Sequence, residues 1–271
     1  MTEWSRVLWK KQPYPDNYVG DSFLRVSKKR REVTYGQAFY SATAVTQEIC
    51  SCLILVAVFC GLSEGHMKAA GVLTFTAVLG VTGYFITRSQ LRSSARDDIK
   101  LVCFYVALIS CASPVVKSLT GSVATDTINA CTTALLLLRI VHQDYGALVA
   151  IVNPTVSHNL GVFASVCLAS RLGSDRDVFA LMTLAVALFA LFPGFRKYCR
   201  TKLGTTLDLF FTIVVVTVTA AGLWLYAIHL MPLLAFALVT CNGIIPALFV
   251  ALQRHKQNIY GPWDEAQIED K

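Results

Sequence analysis

Charge is what this 271-residue sequence is short of. Asp, Glu, Lys and Arg make up 15% of it, against about 25% in a soluble globular domain. That shortfall excludes an ordinary water-soluble fold. The two polar ends, residues 1–37 and 253–271, are too short for a nucleotide-binding domain. Catalytic signatures are missing as well: no G-x-x-x-x-G-K-[ST], H-E-x-x-H or G-x-S-x-G occurs. No cofactor, metal site or catalytic residue is expected. No secretory leader is visible in the basic N-terminal stretch, so the first apolar span is expected to direct insertion. The one near-match to a glycosylation site, Asn153-Pro154-Thr155, has Pro at the forbidden position.

Apolar runs fill the middle. A bilayer core takes about 20 apolar residues per helix, and the runs that qualify cover 38–62, 69–87, 99–116, 123–142, 146–169, 177–193, 206–228 and 230–252. The expected fold is all-α: a polytopic integral membrane helical bundle of about eight transmembrane helices. It divides into an N-terminal tail over 1–37, a membrane domain over 38–252 and a C-terminal tail over 253–271. In the first tail Trp4, Val7 and Leu8 have the spacing of an interfacial helix, or lie in an irregular tail. Prolines punctuate the spans. Pro114 sits in span three, Asn153-Pro154 and then His158-Asn159 are expected to interrupt span five, and Pro232 and Pro246 lie in span eight. The link around His229 is so short that spans seven and eight could be one.

The basic residues are lopsided. Twenty of the 24 Lys and Arg fall on one side of this threading: in the two tails, between Arg88 and Lys100, at Arg139, and from Arg196 to Lys202. Only Lys68, Lys117, Arg171 and Arg176 fall on the other. The positive-inside rule then places both termini in the cytosol. The net charge of +7 is read as membrane flanking, as around Lys28-Lys29-Arg30-Arg31, and not as nucleic-acid binding. All nine cysteines lie in spans or on the cytosolic side, so no disulfide framework is expected. Cys50-Ser51-Cys52 is read as packing, not as a metal site.

Few residues stand out as sites. Pro13, Tyr14, Pro15, Asp16, Asn17 and Tyr18 make a rigid aromatic turn. Pro262, Trp263 and Asp264 give the other tail a similar character. Both are candidates for docking on partners or on the protein's own cytosolic face. Lys117 and Asp126 are placed to pair across the hairpin between spans three and four, with Ser122 or Thr125 capping the helix and Asp126 at its positive end. Asp144 and Asp208 read as caps or interfacial groups. Glu48 lies deep in the first span with no evident partner. His158 and Asn159 suit either a lipid headgroup or a neighbouring helix. Arg88, Arg92, Arg196 and Lys197 are candidate contacts for a lipid headgroup. Asp175-Arg176-Asp177 matches the D-x-D of metal-binding glycosyltransferases, but it falls on the side away from the tails.

Several of these stretches together resemble one family. They are Pro13 to Tyr18, Ser113 to Thr120, Thr125 to Ile128, Asp144-Tyr145-Gly146, Phe163 to Leu172, and Gly261 to Ala266. In order and over almost the whole chain they are similar to PIG-C, the class C subunits of phosphatidylinositol N-acetylglucosaminyltransferase. The resemblance implies a subunit of an endoplasmic reticulum complex that moves N-acetylglucosamine from UDP-N-acetylglucosamine to phosphatidylinositol, the first step of glycosylphosphatidylinositol anchor synthesis. It implies other subunits as partners, including a class A catalytic glycosyltransferase, and contact with membrane lipids, phosphatidylinositol among them. This subunit would be non-catalytic. The alternative reading is a small-lipid transporter or flippase, against which stands the lack of an internal repeat.

Overall fold

In the computed structural model the described residues are 11–13, 33–88, 95–119, 122–145, 154–253 and 255. Among them there is no strand. Helix α1 runs Tyr35–Ser63, α2 Ala69–Thr87, α3 Ala95–Leu119, α4 Thr125–His142 and α5 Pro154–Ala169. A continuous rod follows: α6 (Asp175–Val186), a π turn (Ala187–Leu191), α7 (Phe192–Tyr198) and a second π turn (Cys199–Leu203). Then come α8 (Thr205–Tyr226), a 3-10 turn (Ile228–Leu230), α9 (Met231–Val239), a third π turn (Thr240–Ile244) and α10 (Ile245–Gln253). Six stretches are long and apolar enough to cross a membrane: α1, α2, Ala95–Val116, Asp175–Lys202, α8 and Ile228–Gln253. The other two expected spans are helices as well, but α4 is polar in its first turns and α5 is only 16 residues long.

Local chemistry sets the ends. Thr34 starts α1 with a capping box: its Oγ1 accepts the Gln37 N–H and the Gln37 side chain accepts the Thr34 N–H. Past the end of α1, Gly65 turns the chain at φ 74°, where a residue with a Cβ would be strained. Gly204 does the same between the rod and α8 at φ 81°.

Sequence and structure differ at the prolines. Pro154 starts α5, where its missing N–H costs nothing, and the helix runs unbroken through His158 and Asn159. Pro232 likewise stands at the start of α9. The 3-10 turn at Ile228–Leu230 separates α8 from α9, so the two spans are distinct. The loop expected to carry Arg196, Lys197, Arg200 and Lys202 is helix. Helix α4 has Ala124 at its N-cap with no side-chain cap, so neither Ser122 nor Thr125 takes that role; Asp126 supplies the acidic charge of the first turn instead.

Pro193 and Pro246 lie inside rods, each just after a π turn. A proline offers no N–H to the carbonyl four residues back. In both cases a distant side chain supplies the missing donor. Arg139 Nη2 donates to Phe189 O at 3.4 Å, and Tyr35 Oη donates to Asn242 O at 3.2 Å.

Helix α1 sits inside the bundle, against α8, α9 and α10 on one flank and α6 on another. Helices α4 and α5 form an antiparallel hairpin, and α6 packs on α2, α3 and α5. The main core gathers Leu55, Leu168, Leu181, Leu184 and Phe189; a second joins Cys50, Leu53, Ala57, Leu223 and Leu234. The outer surface is apolar, with Phe85, Phe104, Val141, Trp224 and Phe236 exposed. In lipid those side chains face a medium as apolar as themselves, so packing and polar contacts hold the helices together.

Candidate functional site

Among the described residues the largest fully buried side chain is not apolar. It is Arg139, from the last turn of α4. Its Nη2 lies 2.8 Å from Glu48 Oε1 of α1, and its Nη1 donates to Ser157 O of α5 at 2.7 Å. Its guanidinium stacks on the Phe189 ring, 4.2 Å from the centroid. Glu48, also fully buried, uses its second oxygen for Arg196 Nη1 of α7 at 3.1 Å. Arg196 donates as well to Ala44 O at 3.1 Å and lies over Tyr145 at 5.7 Å. One carboxylate thus joins three helices, and Ser157 brings in a fourth. Ser157 in turn donates from Oγ to Gln143 Oε1 at 2.7 Å.

A second pair lies four residues further along the rod. Arg200 Nε donates to Asp208 Oδ2 of α8 at 3.1 Å, and Nη2 donates to Thr43 Oγ1 at 2.9 Å and to Tyr40 O. Its guanidinium lies 4.6 Å from the Tyr40 ring centroid. Polar contacts continue outward from α1: Gln47 Nε2 donates to Thr212 Oγ1 at 2.7 Å, and Thr46 Oγ1 donates to Asn242 Oδ1 at 3.0 Å. All of these residues of α1 lie between Tyr40 and Gln47–Glu48.

The charges do not cancel. Arg139, Arg196 and Arg200 stand against Glu48 and Asp208, an excess of one positive charge in a buried setting. Ring faces and backbone carbonyls take up the excess, since each guanidinium has at least one of each. Burial pushes the Tyr145 phenol up from its ordinary value, and the Glu48 carboxylate adds to the rise. The phenol therefore stays protonated and donates to Ile140 O at 2.8 Å.

Space for Arg139 depends on one glycine. A Cβ on Gly161 of α5 would lie 2.8 Å from the Phe189 ring and 2.9 Å from Arg139 Nη1. The absent side chain lets α5 approach closely enough for the Ser157 carbonyl to reach the guanidinium.

The residues singled out from sequence fall in several places. Arg196 is turned inward onto Glu48, while Lys197 beside it is exposed. Arg88 ends α2 and pairs with Asp98 of α3 at 3.2 Å, with the Tyr84 hydroxyl on the same carboxylate oxygen at 3.0 Å. Asp126 is exposed in the first turn of α4; the Lys117 side chain lies outside the described residues. Pro13 is in a bend, and Arg92, Tyr14 to Tyr18 and Pro262 to Asp264 lie outside the described residues. Asp208, expected as a cap or interfacial group, is a buried ion-pair partner.

Sequence reading missed the network. It left Glu48 alone and counted Arg139 and Arg200 as flanking charges. One signal was available: Tyr40, Thr43, Gln47 and Ser51 fall on one face of a span that is otherwise apolar, with Glu48 beside them. Among the described residues no His, Cys, Asp and Glu grouping suits a metal ion.

The chain matches, over residues 4–264, the family model described as GPI2: Phosphatidylinositol N-acetylglucosaminyltransferase. The human class C subunit of phosphatidylinositol N-acetylglucosaminyltransferase is 34% identical, the match covering 99% of this chain and 94% of the human one. The GPI2 subunit of the same-named transferase from Schizosaccharomyces pombe is 30% identical, covering 97% and 86%. The Saccharomyces cerevisiae GPI2 subunit is 24% identical, covering 96% of each. No solved structure matches. Length, coverage and identity agree, and the chain belongs to the GPI2 family of phosphatidylinositol N-acetylglucosaminyltransferase.

Proposed function

We propose that this chain is the polytopic, non-catalytic subunit of the complex that transfers N-acetylglucosamine from UDP-N-acetylglucosamine to phosphatidylinositol in the endoplasmic reticulum membrane. It scaffolds the complex and helps present the lipid, while a class A glycosyltransferase supplies the chemistry. Relatives named as subunits of that transferase support the assignment to the complex. The observation that supports the scaffold role is the use made of the buried charges. Glu48 is ion-paired to both Arg139 and Arg196, and with Ser157 the three fasten α1, α4, α5 and α7 together. A group fully buried in such a network is poorly placed to touch a sugar nucleotide.

Purified alone, the chain should show no sugar transfer, and with its copurifying partners it should restore transfer. Activity of the isolated chain would overturn the non-catalytic reading. The two tails serve as docking segments on the cytosolic side. Changing Tyr14, Trp263 and Asp264 together to Ala should release the partners during purification, and unchanged copurification would sink this part. At the same end, Arg88, Arg92 and Lys197 attract the inositol phosphate, and Arg196 holds the rod that carries Lys197. Charge reversal at the first three should raise the phosphatidylinositol concentration needed for half-maximal activity; an unchanged requirement would count against it.

A further inference from the structure

The Asp175-Arg176-Asp177 triplet plays no part in the network. It opens α6, about 30 Å along the rod from Arg196 at 1.5 Å per residue, at the opposite end of the bundle. There Leu73 of α2, Ser110 and Ser113 of α3, and Asp175, Arg176 and Phe179 of α6 line a cavity of about 410 Å³. Its wall is apolar toward Leu73 and Phe179 and polar at the serines and the Asp175-Arg176 pair.

Two polar groups at this cavity are left without the partners that their counterparts elsewhere have. Pro114 also lines it, inside α3. Like Pro193 and Pro246, it offers no N–H to the carbonyl four residues back, here Ser110 O. At the other two prolines a distant side chain donates to the freed carbonyl. No side chain among the described residues donates to Ser110 O. The Ser110 and Ser113 hydroxyls are turned to their own helix, donating to Val106 O and Ile109 O at 2.8 and 2.7 Å. The second group is the Arg176 guanidinium. It is exposed and makes no ion pair or hydrogen bond among the described residues. An acceptor wanting a donor and a cation wanting an anion thus share one cavity with an apolar floor.

We propose that this cavity binds the headgroup of a membrane phospholipid that carries a primary ammonium, as phosphatidylethanolamine does. The phosphate lies against Arg176, the ammonium donates to Ser110 O beside the Asp175 carboxylate, and the first methylenes of an acyl chain cover Leu73 and Phe179. A choline headgroup matches the charge but has no N–H to give. A serine headgroup adds a carboxylate next to Asp175. The site is independent of the transferase reading, because it is defined by lipid retention and not by sugar transfer.

The test is native mass spectrometry of the purified complex after exchange into mixed micelles of phosphatidylethanolamine and phosphatidylcholine with matched chains. The wild type should keep phosphatidylethanolamine in preference. Arg176→Gln should weaken its retention roughly tenfold, the size of one charge-assisted contact, and Arg176→Lys should keep most of it. Lys68→Gln, which removes a nearby cation that does not line the cavity, should leave retention unchanged. Leu73→Trp should exclude the lipid by filling the space; should that variant fail to fold, the three charge variants decide alone. Equal retention of the choline lipid would overturn the proposal, as would an equal drop in Lys68→Gln. Displacement of the lipid by soluble phosphoethanolamine would also overturn it, because the acyl contacts would then contribute nothing.

Discussion

Helices α1 and α3 are equally apolar as candidate spans, yet α1 is 61% buried over its most apolar stretch and α3 17%. Hydropathy therefore finds both and places neither. What separates them is the minority of polar residues. Helix α1 carries Thr43, Gln47, Glu48 and Ser51 inward, all nearly fully buried. Helix α3 presents Leu101, Phe104 and Leu108 outward. In water the apolar face of a helix marks its inside. In a bilayer lipid serves the apolar face as well as another helix does, so the polar face marks the inside.

That contrast can be broken most sharply at Glu48. Replacing it by Gln leaves Arg139 and Arg196 buried without their carboxylate, at a cost of roughly 3–5 kcal/mol. The expected result is loss of the folded subunit or a large fall in its melting temperature in detergent. A stability within experimental error of the wild type would show that the network is not what holds α1 inside. Next in size is Gly161→Ala, which pushes a methyl into Phe189 and Arg139 and should cost about 2–3 kcal/mol. Its control is Gly80→Ala on α2, where a Cβ meets nothing; that change should be neutral or slightly stabilising. If the two alanines behave alike, the close approach of α5 is not a constraint. Asp208→Asn should cost less, about 1–2 kcal/mol, because Arg200 keeps Thr43 and Tyr40 and is partly exposed. The smallest effect belongs to the outer surface. Phe104→Leu on α3 should shift stability by less than about 0.5 kcal/mol, and a larger loss would mean that a partner helix covers that face.

Much of the architecture was legible in the sequence because hydropathy and the shortage of charge act locally. Six of the eight expected spans, the all-helical class and the family follow from residues read in order. The candidate site was not, because its partners lie far apart. Arg196 and Glu48 are separated by 148 positions, and nothing near Glu48 in the chain announces a cation. Arg139 and Arg200 were read as aqueous flanks, since an arginine at a span end is ordinarily just that. Whether such an arginine faces water or another helix depends on the fold around it. The polar and proline punctuation misled for a similar reason: His158-Asn159 and Pro232 read as breaks, but α5 runs through the first and the second starts α9. The carbonyls freed by Pro193 and Pro246 become visible only once Arg139 and Tyr35 are seen beside them.

The order of synthesis gives the Glu48 bridge a further meaning. The chain is made from its N-terminus at about 5–20 residues per second, so Glu48 is made on the order of ten seconds before Arg139, and Arg196 follows later still. During that interval α1 carries an acid for which lipid is a poor host. The helix must wait hydrated or in the keeping of another protein until its bases arrive. The bond that secures the finished bundle is thus also a timing problem for its assembly.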